Sequence, residues 1–425
     1  MPTQNDATRP FSLLVKPASA DCNLRCAYCF YLDHSSLYPE TNRHRMSDEV
    51  LERLIKSYMG TDQPNYSFGW QGGEPTLMGV DFFEKVVSLQ KKYGKPGALV
   101  SNGLQTNVTM IDDEFAQHLA EYKFLVGASI DGPDHIHNTY RLNAAGSGSH
   151  DAVMKGVQAL NRHNVEYNAL ILVSTANVEH PEEVYDYLLD MGIHYHQYIP
   201  CVEFDDRGNP LPYTITSAQW SNFLNRIYDR WVGTDTRKVS IRDFDALLQL
   251  LVNGTYSMCV HGGYCASYFV VEYNGDIYPC DFYVEKAKRL GSIMTDSWSK
   301  LKNSSRYRSF AEQKADWNDK CAACKYLRYC SGDCLKQRFY GTQDPKNLSW
   351  LCEGWEQFYS HTLSGFEKLA VSILNEQETQ HPPQQRQFYN RLPAVRIGWN
   401  DPCFCGSGKK YRLCHGTAGS GKRKQ

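Results

Sequence analysis

The cysteines constrain this chain more than any other feature, because all but one of the 15 fall into three groups. Three lie at 22–29, eight at 259–352 and three at 403–414, while Cys201 stands alone. The count is odd and the first ten residues are polar rather than a secretory leader, so a disulfide framework is not expected. Clustered cysteines in a reducing compartment act as thiolate ligands, so we expect metal sites in a cytoplasmic protein.

The bulk composition excludes several broad classes of function. A net charge of -2 gives no basis for a general nucleic-acid or membrane-surface role, and no apolar run approaches the length of a membrane span. A hydrophobic content of 42% is ample for a sizeable core. We therefore expect a globular protein with no membrane partner, and no nucleic acid is expected for its chemistry.

Short apolar runs alternate with helical stretches from residue 11 to about 202, which is typical of repeated βα units. Six units predict an α/β fold, a partial parallel (β/α)6 TIM-like barrel, with strands at 13–15, 66–70, 98–100, 124–129, 169–173 and 196–199. The expected domains are the barrel at 1–216, a helical bridge at 217–258, a cysteine-rich domain at 259–375, a Gln- and Pro-containing linker at 376–396, and a small cysteine module with a basic tail at 397–425.

The first cysteine group, Cys22-Asn-Leu-Arg-Cys26-Ala-Tyr-Cys29, follows the first predicted strand after a short loop. Three thiolates at this spacing can ligate three irons of a 4Fe–4S cluster and leave the fourth iron open. S-adenosylmethionine can chelate an open iron through its amino and carboxylate groups. A structural zinc site is the alternative, but it needs a fourth nearby ligand, and His34 is badly spaced for that role.

This triplet, with the aromatic Tyr28 before its last cysteine, resembles the signature of the radical S-adenosylmethionine superfamily. That superfamily also carries a motif similar to Gln71-Gly72-Gly73-Glu74-Pro75, which ends the second predicted strand here. Glycines let the backbone approach the cofactor amino group, and Glu74 and backbone carbonyls can accept its hydrogen bonds. Alone, the motif would be an ordinary strand-to-helix turn.

The same resemblance implies further contacts with S-adenosylmethionine at the carboxyl ends of later strands. Ser129 and Arg141 are the expected partners of the cofactor ribose and carboxylate, Arg141 through a charge-assisted hydrogen bond. Val202, after the sixth strand, is a candidate contact for the adenine. A capping serine and a surface arginine are the alternatives for the first two.

The second group has eight cysteines, which is the number that two fully ligated 4Fe–4S clusters require. Two structural zinc ions would also satisfy that count. The block resembles the SPASM extension of peptide-modifying radical enzymes, and all eight positions are filled. By that resemblance one set holds an inner auxiliary cluster, Cys259, Cys265, Cys280 and Cys334, and the other an outer one, Cys321, Cys324, Cys330 and Cys352. Clusters with four protein ligands have no open iron for a substrate, so we expect them to carry electrons. Together with the cluster on the first cysteine group, the chain would bind three 4Fe–4S clusters.

The stretch from Leu14 to about Leu369 resembles the anaerobic sulfatase-maturating enzymes, most clearly at 20–31, 71–76, 198–201 and the Cys280-Asp281 pair. The resemblance implies oxidation of a Cys or Ser in an unfolded or nascent sulfatase polypeptide to formylglycine, with flavodoxin or ferredoxin as the reductant. It implies that a deoxyadenosyl radical removes a hydrogen atom, that Asp281 removes the side-chain proton as the catalytic base, and that Tyr31 and Gln71 hold the peptide.

Three alternatives remain open from the sequence. Asp281 could be a turn residue after Pro279, and Tyr31 a barrel-wall aromatic. A peptide maturase that forms thioether or carbon–carbon crosslinks would use the same clusters. An iron–sulfur electron carrier is the rival outside enzymes, but it would leave the Gly72-Gly73-Glu74 motif without a role.

The third group, with C-x-C-x8-C-H spacing, supplies three thiolates and an imidazole, which suits one tetrahedral zinc. The donors are Cys403, Cys405, Cys414 and His415. The segment resembles the SEC-C motif, which implies a protein partner for this module. About 20 residues bury too little to fold without metal.

Overall fold

The computed structural model describes residues 10–380, which contain one ten-stranded sheet in the order β10-β9-β8-β1-β2-β3-β4-β5-β6-β7. Strands β8 and β1 to β7 run parallel, and β9 and β10 are antiparallel additions. The strands are β1 Ser12–Lys16, β2 Asn65–Trp70, β3 Leu99–Thr106, β4 Leu125–Ser129, β5 Tyr167–Val173, β6 Tyr195–Pro200, β7 Ser240–Ile241, β8 Tyr268–Glu272, β9 Asp276–Tyr278 and β10 Gly291–Ser292.

Helices follow most strands, as the sequence pattern predicts for a partial barrel. They are α1 Asp48–Met59, α2 Val80–Tyr93, α3 Asp113–Glu121, α4 Asp134–Tyr140, α5 His150–Arg162, α6 Pro181–Asp190, α7 Ser217–Thr234, α8 Arg242–Asn253, α9 Trp298–Lys302, α10 Ser305–Glu312, α11 Asp319–Ala323, α12 Leu327–Cys330, α13 Leu335–Arg338 and α14 Cys352–Gln380. No helix in this described part of the chain is long and apolar enough to span a bilayer.

The core lies between the sheet and its helices. On β2, Tyr66, Phe68 and Trp70 alternate with less buried residues, and their side chains are almost wholly excluded from solvent. Tyr66 and Phe68 pack against Tyr58 of α1, and Trp70 packs against Phe82 and Phe83 of α2. Burying an aromatic or aliphatic side chain of this size contributes about 1.5–3 kcal/mol, so this layer fixes the register of β2 and the position of the motif that follows it.

The structure moves one predicted domain boundary and joins one predicted domain to the barrel sheet. The linker expected from residue 376 starts later, because α14 continues to Gln380. The cysteine-rich domain is not a separate body beside the barrel, because its strand β8 pairs in parallel with β1 along five residues. This pairing extends the barrel sheet, and Phe282, two residues after Cys280, packs on Phe30, next to Cys29, with 5.0 Å between the ring centres.

Candidate active site

The first cysteine group lies in the loop after β1, held from two sides. Leu24 N donates to Cys22 Sγ at 3.3 Å, and Asn107 Nδ2, after β3, donates to Asn23 Oδ1 at 2.8 Å. On the other side Ala27 N donates to Tyr140 O at 2.9 Å. Burial raises the pKa of the Cys22 thiol to about 12, so these thiolates need a bound cation to form at neutral pH.

The Gly72-Gly73-Glu74 motif approaches this loop more closely than a side chain would permit. Gly73 N donates to Ser19 O at 2.6 Å, and Glu74 N donates to Asp21 O at 2.7 Å. A Cβ on Gly73 would lie 2.0 Å from Asp21 O, and Gly72 has a φ of +143°. Glycine is therefore required where the motif packs on the loop that carries Cys22.

Replacing Gly73 by alanine should force the two loops apart. We expect Gly73→Ala to lower the free energy of unfolding by about 1–3 kcal/mol, the usual cost of overpacking, and to weaken S-adenosylmethionine binding. Gly103→Ala on β3 is the matched control, because its Cβ meets nothing closer than 3.8 Å. Anaerobic urea unfolding and equilibrium dialysis of the cofactor check both effects. Equal stability in the two variants would contradict this account of the motif.

The Glu74 carboxylate is surrounded by hydrogen-bond donors of the protein itself. It is wholly buried, and its oxygens accept from Thr76 N at 3.0 Å, Thr106 Oγ1 at 2.7 Å and Asn107 N at 2.8 Å. Burial raises the pKa of the Glu74 carboxyl, and these donors oppose that rise. Glu74 thus ties the end of β2 to the end of β3, and contact of Glu74 and of the motif's backbone with the cofactor amino group stays a prediction.

Arg141 lies beside the triplet in a hydrogen-bond network with Tyr28, which was a predicted site residue, and Asp131, which was not. Its guanidinium donates to both carboxylate oxygens of Asp131, at 2.9 and 3.2 Å, and lies 5.5 Å from the centre of the Tyr28 ring. The Tyr28 hydroxyl also donates to Asp131, as does Leu172 N at 3.0 Å. Asp131 was missed as a site residue, although an acidic residue just after a barrel strand is a usable signal.

The other two residues predicted to contact the cofactor lie at the end of β4 and just after β6. Ser129 is the last residue of β4 and is largely buried. Val202 follows β6, is buried, and its carbonyl accepts from Lys336 Nζ at 3.1 Å. Both lie at the carboxyl edge of the sheet where the cysteine loop also lies. Their contacts with S-adenosylmethionine remain predictions.

Asp281 faces the end of β1 and the Gly-Gly-Glu motif. Gln71 Nε2 donates to Asp281 Oδ2 at 3.2 Å, and Lys16 Nζ forms an ion pair with Asp281 Oδ1. The Asp281 backbone N donates to the Tyr268 hydroxyl at 3.3 Å, and that hydroxyl lies 3.2 Å from Cys280 Sγ. The predicted base Asp281 thus contacts Gln71, a predicted substrate-binding residue, and shares the Tyr268 hydroxyl with Cys280, a predicted cluster ligand.

Lys16 was not among the predicted site residues. It is the last residue of β1, only 1% exposed, and its ammonium lies 4.0 Å from the centre of the Tyr31 ring. A lysine at the carboxyl end of an otherwise apolar barrel strand is the signal that could have identified it. Its ion pair with Asp281 compensates a charge that burial alone would make costly.

Tyr31 is more buried than a direct peptide contact requires. Its side chain is 2% exposed, its hydroxyl donates to Glu272 Oε1, and its ring stacks on His34 at 4.5 Å. In this arrangement the Tyr31 ring packs against the Lys16 ammonium. Its role in holding the peptide stays a prediction.

The cysteines predicted for the auxiliary clusters lie close enough to one another to perturb each other's pKa values. In the inner set, burial, with negative charge on Cys259 and Cys265 adding to it, raises the pKa of the Cys334 thiol to about 12, and burial and Cys334 raise the pKa of Cys280. In the outer set the four thiols line one cavity, Cys321, Cys324, Cys330 and Cys352, together with Trp355. The shared cavity supports the outer set, and the division of the eight cysteines into two sets stays a prediction.

Three family models match this chain. The Radical SAM superfamily covers residues 17–188, an iron-sulfur cluster-binding domain named SPASM covers 259–325, and the SEC-C motif covers 400–417. The first spans the triplet and the motif after β2, and the second favours iron–sulfur over zinc for the eight-cysteine block. The predicted zinc donors, Cys403, Cys405, Cys414 and His415, lie outside the residues that the structure describes.

Curated relatives match along most of the chain. The serine-type anaerobic sulfatase-maturating enzyme of Bacteroides thetaiotaomicron is 35% identical over 87% of this chain and 93% of the relative. The chain belongs to the anaerobic sulfatase-maturating enzyme family. The cysteine-type enzyme of Clostridium perfringens is also 35% identical, over 86% of this chain and 99% of the relative. These two relatives, one of each type, are thus equally similar to the chain in sequence identity.

A solved structure of the family has the same fold. Native anSMEcpe with bound AdoMet and the Cp18Cys peptide has a TM-score of 0.80, with 35% identity over 86% of this chain and 99% of that chain. Streptococcus suis SuiB with its precursor peptide SuiA, at 18% identity and a TM-score of 0.59, shares the fold alone. The fold and radical chemistry predicted from the sequence are confirmed for this sulfatase-maturating enzyme family member.

The site residues of this sulfatase-maturating enzyme fit the iron–sulfur groups of its family. Besides the thiols, several buried donors have no partner within residues 10–380, among them the Tyr283 hydroxyl, Trp317 Nε1 and Trp355 Nε1. The pKa of Tyr283 is raised by burial and by negative charge on Cys334 and Cys280, and Trp355 lines the outer cavity. Donors of this kind fit the sulfur atoms of clusters bound by the two sets of cysteines.

Proposed function

We propose that this enzyme oxidises a cysteine or serine in a sulfatase active-site peptide to formylglycine. The observation that carries the proposal is the position of Asp281, next to the predicted cluster ligand Cys280 and held by Gln71 and Lys16. A carboxylate that is fixed at both oxygens and lies at the edge facing the triplet is placed to accept a proton from a bound side chain. Family membership supplies the reaction class.

S-adenosylmethionine, bound beside a cluster on Cys22, Cys26 and Cys29, supplies removal of one hydrogen atom from the substrate Cβ. The backbone carbonyls of Gly72 and Gly73, which pack closely on the triplet loop, would accept hydrogen bonds from the cofactor amino group. Arg141 lies close enough to the triplet for its positive charge to oppose the rise that burial causes in the pKa of Cys26. It would pair with the cofactor carboxylate, with Asp131 and Tyr28 fixing its orientation.

Asp281 accepts the thiol or hydroxyl proton of the substrate. Gln71 holds one carboxylate oxygen and Lys16 the other, so the group cannot rotate away from the bound side chain. Loss of a hydrogen atom, a proton and an electron turns the serine side chain into an aldehyde directly. A cysteine side chain becomes a thioaldehyde, which water converts to the aldehyde with release of hydrogen sulfide.

Two sets of ligands in this chain would hold the auxiliary clusters that carry the electron away. Cys259, Cys265, Cys280 and Cys334 form the inner set, and Cys321, Cys324, Cys330 and Cys352 the outer one. In this proposal the chain binds three 4Fe–4S clusters, and flavodoxin or ferredoxin supplies the electron that starts each turnover.

The experiment that tests the function uses matched peptides. Reconstituted enzyme, S-adenosylmethionine and dithionite are incubated anaerobically with a sulfatase-type peptide carrying Cys, Ser or Ala at the target position. We expect an aldehyde, trapped by a hydrazide and seen by mass spectrometry, from the Cys peptide, the Ser peptide or both. A peptide with an internal thioether and no aldehyde would instead favour a crosslinking maturase.

The C-terminal module is proposed to bind one zinc ion and a protein partner through Cys403, Cys405, Cys414 and His415. Ending the chain after Gln380, where α14 ends, should remove about one zinc per chain and leave oxidation of a short peptide within about twofold of the full chain. Metal analysis and peptide turnover measure the two effects. Collapse of turnover in the truncated enzyme would show that the module belongs to the active site.

A further inference from the structure

A short left-handed loop connects the two sets of auxiliary cysteines. Ser331, Gly332 and Asp333 have φ values of 47°, 70° and 62°, and they separate the outer ligand Cys330 from the inner ligand Cys334. Left-handed backbone is costly for residues other than glycine, so Ser331 and Asp333 need compensating contacts. We call residues 331–333 the bridging loop.

Lys314 supplies part of that compensation from the side of α10. It is 1% exposed, and its ammonium donates to Ser331 O at 3.0 Å, to Asp333 O and to Val260 O at 3.1 Å. Val260 follows the inner ligand Cys259 directly. One buried ammonium therefore contacts backbone next to ligands of both sets.

Arg338, at the end of α13, holds the same loop. It is also 1% exposed, and its guanidinium donates to Gly332 O at 2.7 Å, to Ser331 O at 3.1 Å and to Asp333 O at 3.2 Å. A Cβ on Gly332 would lie 2.5 Å from Arg338 Nη2. All three carbonyls of the bridging loop thus face two buried cations.

The one carboxylate in the loop is engaged elsewhere. Asp333 Oδ1 accepts from Cys334 N at 2.7 Å and its Oδ2 accepts from Ser349 Oγ at 2.6 Å, while Lys314 and Arg338 bond only to carbonyl oxygens. Carbonyl dipoles offset only part of the cost of burying two positive charges. The remaining compensation has to come from nearby negative charge, which clusters bound by the two sets of cysteines would supply.

We propose that Lys314 and Arg338 form a cationic bridge that raises the reduction potentials of both auxiliary clusters. The inference rests on the proposed function, because it requires clusters on the two cysteine sets. Each electron that a cluster accepts adds negative charge, and a fixed buried cation stabilises that reduced state. The bridge makes the auxiliary clusters better acceptors for the electron that leaves the substrate.

The test is an anaerobic redox titration of the full-length enzyme followed by electron paramagnetic resonance. We expect Lys314→Met and Arg338→Gln each to lower the midpoint potentials of the auxiliary clusters. The expected shift corresponds to about a tenfold change in the reduction equilibrium, which is 59 mV for one electron. Asp333→Asn removes the loop's negative charge with little change of shape and should raise the potentials. Lys320→Gln, an exposed lysine beside the outer ligand Cys321, is the control with a small expected shift because solvent screens it.

Separate readouts keep the inference and the proposed function apart. Iron content and cluster signals in the unmodified enzyme establish whether the auxiliary clusters exist, and their absence would overturn both. Clusters that are present, with potentials unmoved by any of the three buried changes, would overturn the cationic bridge alone. If the Lys314 and Arg338 variants lose iron, Asp333→Asn decides: an upward shift supports the bridge, and no shift or a downward one contradicts it. Lys314→Arg should restore the potential if charge is the cause.

Discussion

Asp281→Asn should lower formylglycine formation by about 100-fold or more while S-adenosylmethionine cleavage continues. Losing a general base typically costs about 10²–10⁴ in rate. Asparagine is close in shape and can still accept from Gln71, but it cannot take a proton at neutral pH. Deoxyadenosine would then form without matching aldehyde, and both products are measured in one reaction by liquid chromatography and mass spectrometry.

The Asp281→Asn variant needs a control, because it also leaves the buried Lys16 without its ion-pair partner. Removing one member of a buried ion pair typically costs about 3–5 kcal/mol. The double variant Lys16→Met with Asp281→Asn removes both charges and should recover stability but not aldehyde formation. An Asp281→Asn enzyme with normal aldehyde yield would show that Asp281 is only a turn residue.

Replacing Cys22, Cys26 and Cys29 together by alanine should abolish S-adenosylmethionine cleavage. The variant should lose about four of about twelve irons, because the auxiliary ligands at 259–352 are untouched. Iron analysis and deoxyadenosine assays measure the two effects. Cys201→Ala is the matched control, since this buried cysteine lies outside all three groups and its loss should leave the iron count unchanged. Cleavage in the triple variant would refute the triplet's role.

The barrel was largely predictable because its signals are local. A serine directly before a helix predicts an N-cap, and the Ser47 hydroxyl accepts from Val50 N at 3.3 Å at the start of α1. Apolar alternation placed β2 to within one residue. Strand β3 was predicted only at 98–100 but continues to Thr106, since polar Asn102 interrupts its pattern. Asn102 is tolerated because Trp70 Nε1 and Gln90 Nε2 donate to its side chain, at 3.0 and 2.9 Å.

The rest depends on contacts between distant parts of the sequence. No local pattern indicates that β8 would pair with β1, some 250 residues earlier, yet this pairing brings Asp281 to Lys16. The bridging loop was equally hidden, because buried cations such as Lys314 look like surface residues in a sequence. Cysteine spacing identified the ligands and, through family resemblance, their grouping, but not the charges around them.

The most direct test of the central claim follows a deuterium label from the substrate. The target residue of the peptide is deuterated at Cβ in one sample and at Cα in another, and each is turned over anaerobically by the enzyme. The account predicts deuterium in deoxyadenosine from the Cβ-labelled peptide only, with one aldehyde formed for each labelled deoxyadenosine. Transfer from Cα, or label transfer accompanied by a crosslinked peptide and no aldehyde, would contradict it.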